Sequence, residues 1–213
     1  MRRELVQDVR LYLVTGAAVR SGPLEEFLAR VIDAGVGMVQ LRERTLTDGE
    51  LLKTARLFAG VCRENGALFI VNDRMDVALA AGADGVHVGQ DDIHPDDVRR
   101  VVGDDFIIGL STHSSAEIDA AHATTADYIG VGPVYETPTK PGRQAVGLDL
   151  VRYAASGSKK PFFAIGGIDP TTAGEVASAG ARSLSVMRCI AQADDPETAV
   201  KDLLDVLVSH RTS

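Results

Sequence analysis

The chain has 213 residues, 45% of them hydrophobic and 24% charged, and a formal net charge of −8. That composition suits one globular domain burying roughly 70% of its unfolded surface, and the acidic balance speaks against a nucleic-acid binder, which carries a basic face. No uncharged apolar stretch approaches the roughly 20 residues of a membrane helix, and Cys62 and Cys189 stand in no CxxC or metal-spaced cluster. Anionic small molecules stay admissible, because local cations or a metal reverse the field at a single site. Met1-Arg2-Arg3-Glu4 leads into no signal-peptide run, so the expectation is a cytoplasmic protein without a membrane partner.

Taken in chain order, short apolar runs alternate with helical patterns. Strands are predicted from Leu11 ("LYLVT"), Met38 ("MVQLRE"), Leu68 ("LFIVND"), Gly85 ("GVHVGQ"), Phe106 ("FIIGLST"), Asp127 ("DYIGVGPV"), Pro161 ("PFFAIGGI") and Ser183 ("SLSVMR"). They are rich in Val, Ile and Phe and nearly continuous, as parallel strands covered on both faces should be. Between them Leu51, Ala55, Phe58 and Cys62 fall on one helical stripe, and Val200, Leu203, Leu204 and Leu207 on another. Thr47 with Glu50 and Ser114 with Glu117 have capping-box spacing. Asp169-Pro170 sets a cap before a first-turn proline, and Gly35, Gly82 and Gly180 stand at helix stops. The spacing between Leu68 and Gly85 leaves room for only a short third helix.

Eight strand–helix units predict a (β/α)8 TIM barrel, α/β in class, as a single domain over 1–213 with residues 1–10 and 209–213 as loose ends. The rival is a doubly wound open sheet, which often carries a glycine-rich dinucleotide turn after its first strand. "VTGAAVRSGP" has no GxGxxG.

In such a barrel, chemistry sits at the carboxyl ends of the strands. Those ends are polar almost all the way round: Gln40, Arg42 and Arg44 after the second, Asn72 and Asp73 after the third, Asp92 after the fourth, Ser111 and His113 at the fifth. Thr137, Thr139 and Lys140 follow the sixth, Gly166-Gly167 the seventh and Met187-Arg188 the eighth. Asp73 and Asp92 end adjacent strands and could share a hard cation; Mg2+ suits one or two carboxylates plus substrate phosphates. Arg42, Arg44 and Lys140 could hold phosphate oxygens around it. The bland alternative pairs Asp73 with Arg74 or makes it a cap of the third helix. The loops after strands seven and eight form a second anion site if backbone N–H groups cradle a phosphate there, which glycine permits; otherwise Gly-Gly is only a tight turn. An isomerase of a sugar phosphate needs one such site. Two fit the joining of two phosphorylated molecules. His87 lies mid-strand and is expected as a hydrogen-bonded interior residue rather than a base. No nucleophile elbow is present.

"QLRER", "FIVNDRMDVAL", "GADGVHVGQDD", "GLSTH", "DYIGVGPVYETPTK" and "AIGGI", in this order over most of the chain, resemble the thiamine phosphate synthase (thiamine-phosphate pyrophosphorylase) family. The resemblance implies a Mg2+-dependent transferase acting on phosphorylated small molecules. It joins 4-amino-2-methyl-5-hydroxymethylpyrimidine diphosphate to a thiazole phosphate, in plain or carboxylated form, releasing diphosphate. It places the pyrimidine diphosphate at Gln40, Arg42, Arg44, Asn72, Ser111 and Lys140, with Arg42, Ser111 and Lys140 catalytic. Metal ligands are implied at Asp73 and Asp92, and the thiazole phosphate at Thr137, Thr139, Gly167, Met187 and Arg188. Two positions depart from the family pattern: Arg44 stands where lysine is common, and Met187-Arg188 where a small pair is common. The alternatives are a thiazole phosphate tautomerase-like barrel and a non-catalytic regulatory barrel. Oligomeric state is left open, a homo-oligomer included.

Overall fold

The computed structural model describes residues 2–136 and 144–210. The eight apolar runs form β1 (Leu11–Thr15), β2 (Met38–Leu41), β3 (Leu68–Asn72), β4 (Gly85–Val88), β5 (Ile107–Thr112), β6 (Tyr128–Val131), β7 (Phe162–Ile165) and β8 (Leu184–Val186). Each pairs in parallel with the next, and β8 returns to β1, closing a barrel. The helices are α1 (Leu24–Asp33), α2 (Asp48–Asn65), α3 (Met75–Ala81), α4 (Pro95–Val102), α5 (Ser115–Ala121), α6 (Gly147–Gly157), α7 (Ala173–Ser178), α8 (Arg188–Ala191) and α9 (Pro196–Ser209). This is the (β/α)8 architecture that the alternation predicts. The last four strands each begin one residue later than the apolar runs suggest.

The continuity of the runs has its cause in two separate cores. Leu11, Leu13, Val39, Phe69, Val86 and Ile108 point outward to the helices and join the larger cluster. Tyr12, Met38, Leu68, Ile70, Ile107, Tyr128 and Phe163 point inward and form the smaller one. Both faces of each strand are therefore dry, as parallel sheets require. Inside the barrel Tyr12, Tyr128 and Phe163 meet edge to face, with ring centroids 5.2 to 5.9 Å apart, the geometry their quadrupoles prefer.

Local signals behave as their chemistry dictates. Thr47 and Glu50 make a reciprocal capping box on α2. Ser114 accepts from Glu117 N, but the Glu117 carboxylate caps His113 N instead of closing the box. Leu51, Ala55, Phe58 and Cys62 are all buried. The helix after β3 is indeed short, seven residues, and ends on left-handed Gly82.

Asp169 does not begin a helix as its Asp-Pro pattern suggests. Its carboxylate accepts from Thr171 N and Thr172 N in a preceding turn, and α7 starts at Ala173. The sequence reading leaves residues 1–10 as a loose end. In the structure Arg2–Asp8 forms a 3-10 helix, and Val6 within it and Val9 just after it are buried under the barrel floor, because those side chains complete the inner core. At the other end Ser209 is the last residue of α9, and residues 211–213 lie outside the described range.

One carboxylate pins the amino end of the barrel. Asp127, just before β6, accepts from Ile108 N at 2.8 Å and pairs with Arg99 at 2.8 Å, both side chains almost wholly buried. Arg3 adds an Nε–H bond of 2.7 Å to its other oxygen. Asp84, just before β4, accepts from Phe69 N at 2.9 Å in the same manner. Each aspartate thus satisfies a strand-start N–H that the ladder leaves open.

Candidate active site

The carboxyl end of the barrel opens into a cavity of about 440 Å³, large enough for a small organic molecule. Gln40, Arg42, Asn72 and Ser111 line one side, and Gly167, Met187 and Arg188 the other. These seven predicted residues are brought together by strand ends far apart in sequence. Arg44, Asp73 and Asp92 stand exposed at the rim. Thr137, Thr139 and Lys140 lie outside the described residues.

Arg42 has unusual surroundings. Its Nη2 is buried and has no hydrogen-bond partner among the described residues. Burial lowers its guanidinium pKa, Arg44 lowers it further, and Asp73 acts in the opposite sense. A buried, unsatisfied charged donor is costly. An anion in the cavity would remove that cost.

Asp73 and Asp92 adjoin, as the adjacent strands predict. Loss of hydration pushes the Asp73 carboxyl above its ordinary range, the Asp92 carboxylate pushes it further, and Arg44 and Arg42 pull it back. Two neighbouring carboxylates that repel each other suit a bound cation. Asp73 also sits at φ 60°, the one non-glycine residue in left-handed backbone among those described. Aspartate tolerates that region better than most residues, at a cost of about 1 kcal/mol. Asp92 Oδ2 accepts from Gly89 N at 2.7 Å, which fixes the loop after β4. The bland alternatives for Asp73 do not describe it: Arg74 pairs with Asp48 and Asp76, and α3 has no side-chain cap. Two carboxylates are as far as the ligand set goes, since no group of three or more His, Cys, Asp or Glu suited to a metal occurs among the described residues.

The turn after β7 is built on glycine for two reasons. Gly166 and Gly167 have φ of 102° and 66°, where side chains are disfavoured. A Cβ on Gly166 would come within 2.5 Å of Pro133 Cα, and one on Gly167 within 2.9 Å of Glu136 O. The turn therefore lies against the segment leaving β6, tied to it by Tyr135 N donating to Gly166 O at 2.9 Å. Opposite, α8 begins at Arg188, and its first N–H groups have no acceptor within the helix.

Sequence reading missed several lining residues. Tyr12, Phe163, Ser185, Cys189 and Gln192 all face the cavity. Ser185 is 2% exposed, and its Oγ has no partner among the described residues. The signal for Tyr12 and Ser185 was a polar group at an inward position of an apolar strand. Burial holds the Cys189 thiol up at about 12, which disfavours the thiolate at neutral pH. His87 is an interior residue, 8% exposed, bonded to Tyr128 and Ser111.

The architecture defines a class: a (β/α)8 barrel with a polar cavity at the carboxyl ends of its strands, where such barrels carry their chemistry. Comparison with known proteins narrows it. A family model described as thiamine monophosphate synthase matches residues 11–190. The chain is 51% identical over 197 residues to a thiamine-phosphate synthase of Acidothermus cellulolyticus, covering 92% of this chain and 93% of that one. It is 47% identical over 202 residues to a thiamine-phosphate synthase of Streptomyces avermitilis, covering 94% of each. A solved structure of thiamine phosphate pyrophosphorylase from Pyrococcus furiosus superposes with a TM-score of 0.87 at 30% identity, covering 97% of this chain and 99% of that one. The chain belongs to the thiamine monophosphate synthase family and is an enzyme of the transferase class. None of its described helices is long and apolar enough to cross a membrane.

Proposed function

We propose that this chain joins 4-amino-2-methyl-5-hydroxymethylpyrimidine diphosphate to a thiazole phosphate, plain or carboxylated, yielding thiamine phosphate and diphosphate. The observation that carries the reading is the buried Arg42 Nη2, without a hydrogen-bond partner among the described residues and within electrostatic reach of Asp73. It marks a place for an anionic group at the open end of a cavity sized for an aromatic ring.

The roles are those that the family resemblance implies, and the gathering of Gln40, Arg42, Asn72, Ser111, Gly167, Met187 and Arg188 around one cavity supports them. Arg42 and Arg44 bind the diphosphate, with Lys140 assigned to the same anion on its sequence context. Gln40, Asn72 and Ser111 orient the pyrimidine. Gly167, Met187 and Arg188 receive the thiazole phosphate, together with Thr137 and Thr139. Asp73 and Asp92 would hold Mg2+, which supplies charge neutralisation for the departing diphosphate. The methylene carbon–oxygen bond breaks as diphosphate leaves, and the electron-rich pyrimidine stabilises the resulting methylene cation. The thiazole nitrogen then donates its electron pair to that carbon. No protein nucleophile is needed; placement and electrostatics carry the rate.

Titration calorimetry tests the binding half of this reading. The pyrimidine diphosphate should bind at least about tenfold more tightly with Mg2+ than with chelator, and Arg42→Ala should weaken it by about 2 kcal/mol or more, as loss of a charge-assisted contact does. Equal affinity with and without metal would remove Mg2+ from the proposal.

A further inference from the structure

A chain of buried hydrogen bonds crosses the barrel floor and joins two residues of the cavity wall. Gln40 Nε2 donates to the Tyr12 hydroxyl. The Tyr12 and Tyr128 hydroxyls are 2.8 Å apart, Tyr128 Oη is 3.0 Å from His87 Nδ1, and His87 Nε2 is 2.9 Å from Ser111 Oγ. Four links thus connect Gln40 on β2 with Ser111 on β5.

The strand register makes this possible. His87 on β4 and Tyr128 on β6 are both in register with Gly109 on β5, which lies between them. A Cβ on Gly109 would stand 2.4 Å from both His87 Nδ1 and the Tyr128 hydroxyl oxygen. Glycine is required there so that side chains two strands apart can meet over the middle one.

Direction along the chain is not free. Each tyrosine hydroxyl has one proton to donate, and burial raises both pKa values, so both keep it at neutral pH. An amide nitrogen can only donate. Once Gln40 Nε2 donates to Tyr12, the buried Tyr12 proton has Tyr128 Oη as its one acceptor among the described residues, and the Tyr128 proton then goes to His87 Nδ1. A neutral His87 then carries its proton on Nε2 and donates it to Ser111. Ser111 accepts from below and keeps its own O–H for the cavity.

We infer that this chain is a polarity relay: the donor or acceptor character of residue 40 sets the tautomer of His87 and, through it, the direction of the Ser111 hydroxyl. Tyr12, Tyr128 and His87 are positioning residues. They make Ser111 a donor toward the cavity, suited to an acceptor atom of the bound pyrimidine. That last role rests on the proposed reaction; the relay itself does not.

The experiment uses the full chain without substrate, so failure of the relay is distinguishable from failure of the proposed function. Two-bond 1H–15N correlation spectra of 15N-histidine-labelled protein at pH 8 report each ring's tautomer, and His87→Asn assigns the His87 signals among the five histidines. The parent protein should show His87 as the Nε2–H form. In Gln40→Glu an ionised carboxylate can only accept, so every link reverses and His87 should become the Nδ1–H form. If the 13C shift of the introduced carboxyl shows it protonated, it donates as the amide did and the Nε2–H form should persist. Tyr12→Phe severs the chain, so in the double variant the ring should no longer respond to residue 40. An Nδ1–H or doubly protonated ring in the parent overturns the relay, and this reading requires no variant to fold. So does a ring that keeps Nε2–H beside an ionised carboxylate.

Discussion

Asp92→Ala should lower the magnesium-dependent rate of thiamine phosphate formation by about 10²- to 10³-fold, the scale for losing one preorganised electrostatic contact. Its cost in stability should be small. Asp92 is exposed, and the contact it loses is one bond from Gly89 N, worth about 1 kcal/mol. Relief of the repulsion on Asp73 offsets part of that. The same repulsion gives a pH signature. The folded-state pKa of Asp73 is raised, so the folded protein binds that proton more tightly than the unfolded chain does. Stability is therefore lost as pH rises from the ordinary aspartate range, about 3.9, through the raised value. A cation held by the pair restores it, so Mg2+ should raise the melting temperature above that window and not below it. A rate unchanged in Asp92→Ala would take this carboxylate out of the metal site.

The second large effect lies at the opposite end of the barrel. Asp127→Ala should destabilise the fold by about 3–5 kcal/mol, the range for removing one partner of a buried ion pair. Arg99 would be left nearly buried without its counter-charge, though it keeps bonds to the carbonyls of Gly103 and Phe106. Ile108 N would lose its acceptor. The Arg3 contact is partly exposed and contributes less. In a chain of this size the loss corresponds to a fall in Tm of roughly 6–20 °C. Activity per folded molecule should be preserved, since Asp127 precedes β6 and the cavity opens past its other end. Denaturant unfolding at 25 °C measures the difference directly, and a loss under about 1 kcal/mol would mean that Arg99 and Ile108 N are adequately satisfied without Asp127.

These two sites differ in how far the sequence reveals them. Asp92 is legible because strand ends in a barrel converge on one mouth, so polar residues after successive apolar runs become neighbours whatever their separation in sequence. Gln40, Arg42, Asn72 and Ser111 emerge by the same logic, and the eight strands by the continuity of Val, Ile and Phe that two dry faces impose. Asp127 is not legible. Its partner Arg99 lies on α4, 28 residues earlier, and no periodicity joins them. Nor does the sequence show that Gly109 clears the space between His87 and Tyr128, since a strand glycine has many uses. Helix α7 starts three residues later than Asp169-Pro170 suggests, because an Asp-Pro pair suits a tight turn as well as a helix start. The burial of Val6 and Val9 depended on the barrel floor needing to be filled, a condition set by the whole fold rather than by local pattern.

The central claim is that one barrel mouth brings two phosphorylated reactants together and joins them. Purified protein should be incubated with the pyrimidine diphosphate, the thiazole phosphate and Mg2+, and thiamine phosphate and diphosphate quantified over time. Equimolar appearance of both, requiring both precursors and abolished by chelator, is the expected result. No thiamine phosphate from protein verified as folded, with both precursors and metal present, would contradict it.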